Sequence, residues 1–131
     1  MMRGAAGLFW PFYFMEPSYV GSTFHYLVDA PDAGDVLHQL VPELKKSDGI
    51  HDVACKTMQA SADAMVKLLA KMARGEKLKV YPQKHSGKNF LESDFKPEHL
   101  RVIYDVFKND MAAQYLSGKL KSKKPNLVRQ F

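Results

Sequence analysis

The most regular hydrophobic pattern in the chain runs from Ile50 to Arg74 and repeats with the period of an α-helix. At about 100° per residue, one face of this helix collects Ile50, Ala54, Thr57, Ser61, Met65, Leu68 and Met72, with Met58 and Leu69 at its edge. Charged residues lie on the opposite face. The pattern predicts an amphipathic helix over residues 49–74, with Ser47 or Asp48 capping its first turn and Gly75 ending it.

Two further segments also fit a helical period. Apolar residues repeat at i, i+4 and i+8 between Val36 and Leu44, which predicts a helix over residues 33–46 with a kink at Pro42. Pro97 suits the first turn of another helix, predicted over residues 97–117. Together the three helices predict a mainly α fold with a three-helix core.

The last predicted helix carries two apolar stripes. One comprises Leu100, Ile103, Tyr104, Phe107, Met111 and Tyr115, and the other Val102, Val106, Ala113 and Leu116. The stripes are centred roughly 200° apart. A surface helix needs only one of them, so we expect the second stripe, through Val102, Val106 and Leu116, to contact a partner.

Residues 1–31 form an aromatic arm without a regular period. The arm includes Phe9, Trp10, Phe12, Tyr13 and Phe14, and its prolines favour an irregular path. Three environments can remove these side chains from water: the domain's own core, a partner protein, or a membrane interface. We expect partner contacts through all five. Residues 22–28 alternate as a short extended strand would.

The remaining segments give the domain boundaries. After residue 75 comes a long polar loop with aromatic anchors, which we expect to be ordered. The last fourteen residues contain basic side chains and no acidic ones, and the candidate electrostatic contacts there are Lys119, Lys121, Lys123 and Lys124. The predicted organisation is an aromatic arm (1–31), a helical domain (32–117) and a basic C-terminal extension (118–131).

Composition limits the class of protein. The chain has 131 residues, of which 46% are hydrophobic and 25% charged, as in a folded globular protein rather than a disordered one. The whole of its net charge of +5 arises from residues 75–131, which hold 12 basic against 6 acidic residues. The one cysteine, Cys55, cannot form an internal disulfide, which favours an intracellular or mitochondrial location. The longest apolar run, between Gly4 and Met15, is too short to span a bilayer as a helix.

No motif in the sequence indicates a reaction. His51 and Cys55 have the spacing of two metal ligands on a helix, but no second pair accompanies them. The run from His85 to Asn89 resembles half of a phosphate-binding loop, without its first glycine and its hydroxyl. We therefore predict no catalytic, cofactor-binding or metal-binding residues.

These features predict a non-catalytic accessory subunit of a large multi-protein assembly. A mitochondrial membrane complex of the respiratory chain or ATP synthase is the expected setting, with the chain peripheral to the membrane and its lysines able to meet anionic lipid headgroups. A structural RNA-binding protein of a ribosome-like particle is the alternative. A small enzyme or ligand carrier forms a third class. Because the arm and the second stripe are apolar, we also expect the isolated chain to self-associate.

Overall fold

The computed structural model describes residues 3–30, 32–83 and 87–131, and it combines one long helix with many short elements. Its strands are β1 (Arg3–Gly4), β2 (Ser22–His25), β3 (Val36–Leu40) and β4 (Asn89–Phe90). Its α-helices are α1 (Trp10–Tyr13), α2 (Ile50–Ala73) and α3 (Met111–Leu116). Short 3₁₀ turns occur at Pro17–Tyr19, Glu92–Asp94 and Pro97–His99, and a π-helical turn at Val102–Val106. The fold is therefore partly helical with small two-stranded sheets, and the predicted mainly α fold with a three-helix core is not confirmed.

Helix α2 confirms the strongest prediction, although its N-terminal cap differs from the expected one. The backbone N–H of Ile50 donates to the side-chain oxygen of Asn109 at 2.9 Å, and that of Gly49 donates to Asp52 at 2.9 Å. Asp48 instead accepts bonds from Lys56, so the predicted capping role of Ser47 or Asp48 is wrong. A residue 59 positions away in sequence therefore caps the helix. At the other end Gly75 has φ +74°, as predicted.

The buried face of α2 is rotated slightly from its predicted position. Its buried residues are Ile50, Val53, Thr57, Ala64 and Leu68. Met65 and Met72, which we expected inside, are 43% and 48% exposed. Neighbouring elements cover only one side of the helix, and packing rather than the apolar periodicity decides which side that is.

The predicted helix over residues 33–46 is wrong, because its centre forms strand β3. This strand pairs antiparallel with β2, and Ser22 faces Leu40 in the register, which confirms the short strand expected within residues 22–28. On its other edge, Val36 exchanges backbone hydrogen bonds with Tyr81. Four consecutive residues of β3 are buried, and a short segment buried on both faces cannot be distinguished from helix by its period.

The last predicted helix is interrupted near its centre. Lys108 and Asn109 have φ values of +51° and +56°, in the left-handed region that ends a right-handed helix. The N–H of Phe107 closes the π-helical turn on the carbonyl of Val102 at 3.2 Å, and the N–H of Asn109 then bonds to the carbonyl of Ile103 at 2.8 Å before α3 begins. The left-handed backbone at Asn109 thus turns its side chain toward the start of α2.

The hydrophobic core lies where the arm meets α2 and the segment from residue 90 to residue 112. It comprises Phe9, Trp10, Phe12, Val20, Ile50, Val53, Phe90, Ile103 and Met111. Strands β1 and β4 bring the arm alongside Phe90 by parallel pairing, with Gly4 opposite Phe90. A Cβ at Gly4 would collide with the Phe90 carbonyl, so glycine permits this close approach. The arm is therefore part of the domain's own core.

Replacing Phe12 tests whether the arm belongs to the core. Phe12 is 1% exposed and Phe14 is 42% exposed, although both belong to the same short segment. Phe12→Ala should lower the free energy of unfolding by about 3–5 kcal/mol, whereas Phe14→Ala should lower it by less than about 1 kcal/mol. Urea unfolding followed by circular dichroism measures both. Equal, small losses would mean that the arm is not part of the folded core.

The cap from Asn109 can be separated from the backbone strain at the same residue. Asn109→Gly removes the acceptor but keeps the left-handed conformation, and should cost about 1 kcal/mol of stability. Asn109→Ala removes the same acceptor but keeps a Cβ in that conformation, and should cost about 1 kcal/mol more than Asn109→Gly. Lys108→Gly leaves the cap in place and should not destabilise. A fully stable Asn109→Ala variant would contradict this account.

Candidate interaction surfaces

The structure divides the five aromatic residues predicted to bind a partner. Phe9, Trp10 and Phe12 are buried, and the Trp10 ring stacks on Phe90 with a centroid distance of 4.2 Å. A partner cannot contact these three while the domain stays folded. They pack in the core and do not form the interface that we predicted for them. Tyr13 is half-buried and Phe14 is exposed. Folding therefore leaves only Tyr13 and Phe14 for a partner.

Phe14 is one of three exposed apolar residues that we group under the name arm patch. The patch consists of Phe14, Met15 and Leu91, which are 42%, 48% and 60% exposed. The Phe14 ring lies 6.1 Å from Phe90, the residue that precedes Leu91, so the two chain segments meet here. Lys88 extends its ammonium over the same Phe90 ring at 4.7 Å. The arm patch is thus an apolar surface with a cation at its edge.

The second stripe of the last helical region reaches the surface at two of its three predicted contact residues. Val106 and Leu116 are 67% and 43% exposed, whereas Val102 is half-buried. Because the chain turns at Lys108 and Asn109, these residues lie on two separate turns instead of one straight stripe. Of the first stripe, Ile103 and Met111 are buried.

The outer face of α2 is an apolar surface that sequence reasoning missed. Met58, Met65, Val66, Leu69 and Met72 are between 43% and 67% exposed. The apolar period predicted a single buried stripe, which merged these side chains with those that pack inside. The signal that could have separated the two is the large number of apolar residues on one helix, which exceeds what one face can bury.

The basic extension is held against the domain while its lysines face outward. Lys119, Lys121, Lys123 and Lys124 are exposed. Between them the hydroxyl of Ser122 lies 2.7 Å from that of Ser18. Further along, the N–H of Gln39 donates to the carbonyl of Val128 at 2.7 Å. The extension therefore lies along the free edge of β3 and presents its charges on a fixed path.

The end of the extension docks on His38. The N–H of Gln130 donates to Nδ1 of His38 at 3.1 Å, and the Phe131 ring stacks on the imidazole at 4.5 Å. His38 itself is buried, and this burial, together with the nearby charges of Arg129 and Lys67, lowers the pKa of the imidazole. The bond from Gln130 needs an unprotonated Nδ1, so the docked end and the neutral imidazole stabilise each other.

Local contacts account for the other ionisable side chains that the sequence singled out. Burial alone would raise the pKa of Asp48, but bonds from the Lys56 ammonium at 2.6 Å and from the Lys45 N–H outweigh it, so this pKa is lowered. His51 accepts or donates a bond with the Tyr104 hydroxyl at 3.1 Å, and Cys55 is exposed. In residues 3–30, 32–83 and 87–131 no three His, Cys, Asp or Glu residues are grouped to hold a metal. His85 and Ser86 of the phosphate-loop resemblance lie outside the described residues.

An open groove separates the arm from the β2–β3 sheet. Its volume is about 790 Å³, and its lining includes Leu8, Tyr19, Thr23, Gln39 and Thr57. Most of its polar groups are hydrogen-bonded within the domain; Gln39, for example, donates to the Thr23 hydroxyl at 3.2 Å. A ligand carrier would use this groove, whose lining also includes His25 and Asp32, 3.7 Å apart.

Comparison with known proteins identifies no family for this chain. No protein-family model matches the sequence, and no curated protein matches it significantly. Within the described part of the chain, none of the helices combines the length and apolarity needed to cross a membrane. The surfaces above are therefore interpreted from their own chemistry.

Acid should loosen the docked C-terminus through His38. Because the folded pKa is lowered from the unfolded value of about 6.5, the unfolded chain takes up a proton first as the pH falls below that value. The contribution of His38 to stability should therefore be constant above about pH 7 and decrease as the pH falls below about 6.5. The amide of Gln130 should lose hydrogen-exchange protection over the same range.

A His38→Gln variant is the control for this pH effect, since its amide oxygen can accept the Gln130 bond without titrating. The difference in urea midpoint between pH 7.5 and 5.5 should be larger for the wild type than for the variant. Equal differences would show that other groups cause the acid sensitivity.

Proposed function

We propose that this chain is a non-catalytic accessory subunit that binds other proteins within a large assembly. The observation that carries the proposal is the distribution of apolar residues. Among the residues that the structure describes, 18 large hydrophobic side chains are exposed, whereas 14 hydrophobic residues are buried. Isolated apolar residues are normal on a surface, but groups of them in contiguous patches are typical of interaction sites.

The partner surface that we propose comprises the arm patch and the exposed residues of the last helical region. Phe14, Met15 and Leu91 form the first part, and Val106 and Leu116 the second. Phe14 also packs beside Phe90 of the core, so it is held in place before a partner arrives, which lowers the entropic cost of binding. The proposal thus retains Phe14, Val106 and Leu116 from the sequence prediction and adds Met15 and Leu91.

The assembly that we favour is a mitochondrial membrane complex, either of the respiratory chain or of ATP synthase. The support comes from the net charge of +5 and from the exposed lysines of the extension, which suit anionic lipid headgroups at a membrane surface. A single, exposed cysteine also suits an interior compartment. In this setting the apolar patches bind neighbouring subunits and the lysines face the lipid.

The alternative is a structural RNA-binding protein, and the fixed path of the extension favours it. Lys119, Lys121, Lys123 and Lys124 lie on a segment ordered by contacts such as Ser18–Ser122. Ordered cations can follow a phosphate backbone without reading its sequence. RNA binding of this kind needs no apolar partner surface, so the two functions differ in which residues they require.

The test is capture of a tagged full-length chain from its own cells at about 0.15 M and 0.5 M salt. If the proposal is right, the chain migrates in a native gel within a complex much larger than itself, and mass spectrometry finds the same subunits at both salt concentrations. An apolar contact is little affected by salt, whereas phosphate contacts weaken steeply. Recovery of RNA that is lost at 0.5 M salt, without a protein complex, would overturn the proposal.

Matched variants locate the partner surface. Phe14→Ser combined with Leu116→Glu should reduce incorporation into the complex at least fivefold without unfolding the domain, because both side chains are largely exposed. Ser117→Glu adds the same charge next to Leu116 and should leave incorporation unchanged. Full incorporation of the double variant would exclude this surface.

A further inference from the structure

The exposed side of α2 has the spacing of a coiled-coil seam. Its apolar residues recur at alternating intervals of three and four: Cys55, Met58, Ala62, Met65, Leu69 and Met72. In heptad terms, Cys55, Ala62 and Leu69 occupy a positions, and the three methionines occupy d positions. All six residues are exposed. We call this strip the α2 seam.

The seam is distinct from the face of α2 that packs in the core. At about 100° per residue, its centre lies roughly 120° around the helix from the buried face that includes Val53, Ala64 and Leu68. At its N-terminal end the seam stops where Tyr104 contacts His51. At the other end it stops before Glu76, which pairs with Lys71 and Arg74. Between these limits the seam extends roughly 25 Å along the helix.

The positions beside the seam are uncharged. The e positions hold Gln59, Val66 and Ala73, and the g positions hold Ala54, Ser61 and Leu68. In coiled coils these flanking positions select the partner through charge pairs. Without charges there, the seam has no preference for a partner of opposite sign and no repulsion toward an identical helix.

We propose that the α2 seam binds the α2 seam of a second copy of this chain, with the two helices antiparallel. In an antiparallel pair, an a residue faces a d residue of the other helix. Here Cys55 faces Met72 of the second copy, Ala62 faces Met65, and Met58 faces Leu69. Two of the three kinds of layer therefore combine a small side chain with a large one, as close packing requires.

A parallel pair would pack less well. It would place Cys55 on Cys55 and Ala62 on Ala62, leaving space at those layers, and would stack methionine on methionine between them. It would also align the two helix dipoles, which is unfavourable. The antiparallel arrangement instead opposes the two dipoles.

The area of the seam is suitable for a reversible dimer. Its methionines and Leu69, together with the adjacent Val66, are between 43% and 67% exposed. They provide roughly 500 Å² of apolar surface per copy, at the upper end of the range found for the largest patch of a monomer. A standard interface buries about 800 Å² per partner, so the seam supplies its apolar centre and the flanking residues the remainder. This contact is separate from the arm patch and does not depend on the function proposed above.

Disulfide formation in the full-length chain tests the orientation, because Cys55 is its one cysteine. In the antiparallel dimer the two Cys55 thiols lie roughly 25 Å apart, so mild oxidation should not link wild-type chains at low concentration. The Met72→Cys variant should form a covalent dimer in high yield, since the new thiol faces Cys55 of the second copy. Both thiols on one helix are too far apart for a bond within the chain.

Two control variants accompany this experiment. Asp63→Cys places an exposed thiol on the other side of α2 and should form little dimer, which measures random collisions. Met72→Cys combined with Cys55→Ser should also fail to link, because the two remaining thiols are roughly 25 Å apart. Efficient linking of wild-type Cys55 would show a parallel pair and overturn the proposed orientation.

Sedimentation equilibrium tests the dimer itself. The wild type should dimerise in the micromolar range. Leu69→Glu should raise the dissociation constant of the dimer at least tenfold and leave the circular dichroism spectrum unchanged. Asp63→Lys, an exposed substitution away from the seam, should dimerise as the wild type does. A wild type that is monomeric at about 100 µM, or a dimer unaffected by Leu69→Glu, would overturn the proposal.

Discussion

The packing of Trp10 against Phe90 is the contact on which the rest of the fold depends. The strands are two to five residues long, and α2 is the single long helix within the described ranges, so secondary structure alone holds little together. The stacked rings join the arm to the segment after the long loop, and Val53, Ile103 and Met111 close the same core from α2 and the last helical region. Burying large aromatic rings gives more stability per residue than the short strands can. The arm is thus the centre of the domain.

The C-terminal extension completes the structure on the opposite side. Strand β3 pairs with β2 on one edge, and its other edge is covered by Tyr81 and Val128. A free strand edge would expose unpaired backbone groups and invite aggregation. The extension prevents this, and the docking of Gln130 on His38 holds its end in place. A segment that resembles a disordered basic tail by composition therefore has a structural role, while its lysines stay available to a charged surface.

The limited extent of the core also explains the exposed apolar surface. A core concentrated at one end of α2 cannot cover the helix on every side, so Met58, Met65, Leu69 and Met72 are left exposed. The interruption at Asn109 caps α2 but turns Val106 and Leu116 outward. Leaving these surfaces in water has a free-energy cost, which the proposed partner contacts would remove. The stability of the fold and the exposed surfaces that we propose as partner sites arise from the same arrangement.

The sequence by itself determined the features that depend on local chemistry. These are α2 with its end at Gly75, the extended segment at β2, and the turn that begins at Pro97, because period, cap residues and proline act over a few residues. Only the tertiary structure decided that Val36–Leu40 is a strand, since β2, Tyr81 and the extension supply its hydrogen bonds. Only it decided that Trp10 lies inside and Phe14 outside, because that choice depends on Phe90, distant in sequence. The period of α2 likewise showed an apolar helix, but which stripe is buried and which is exposed was fixed by the elements packed against it.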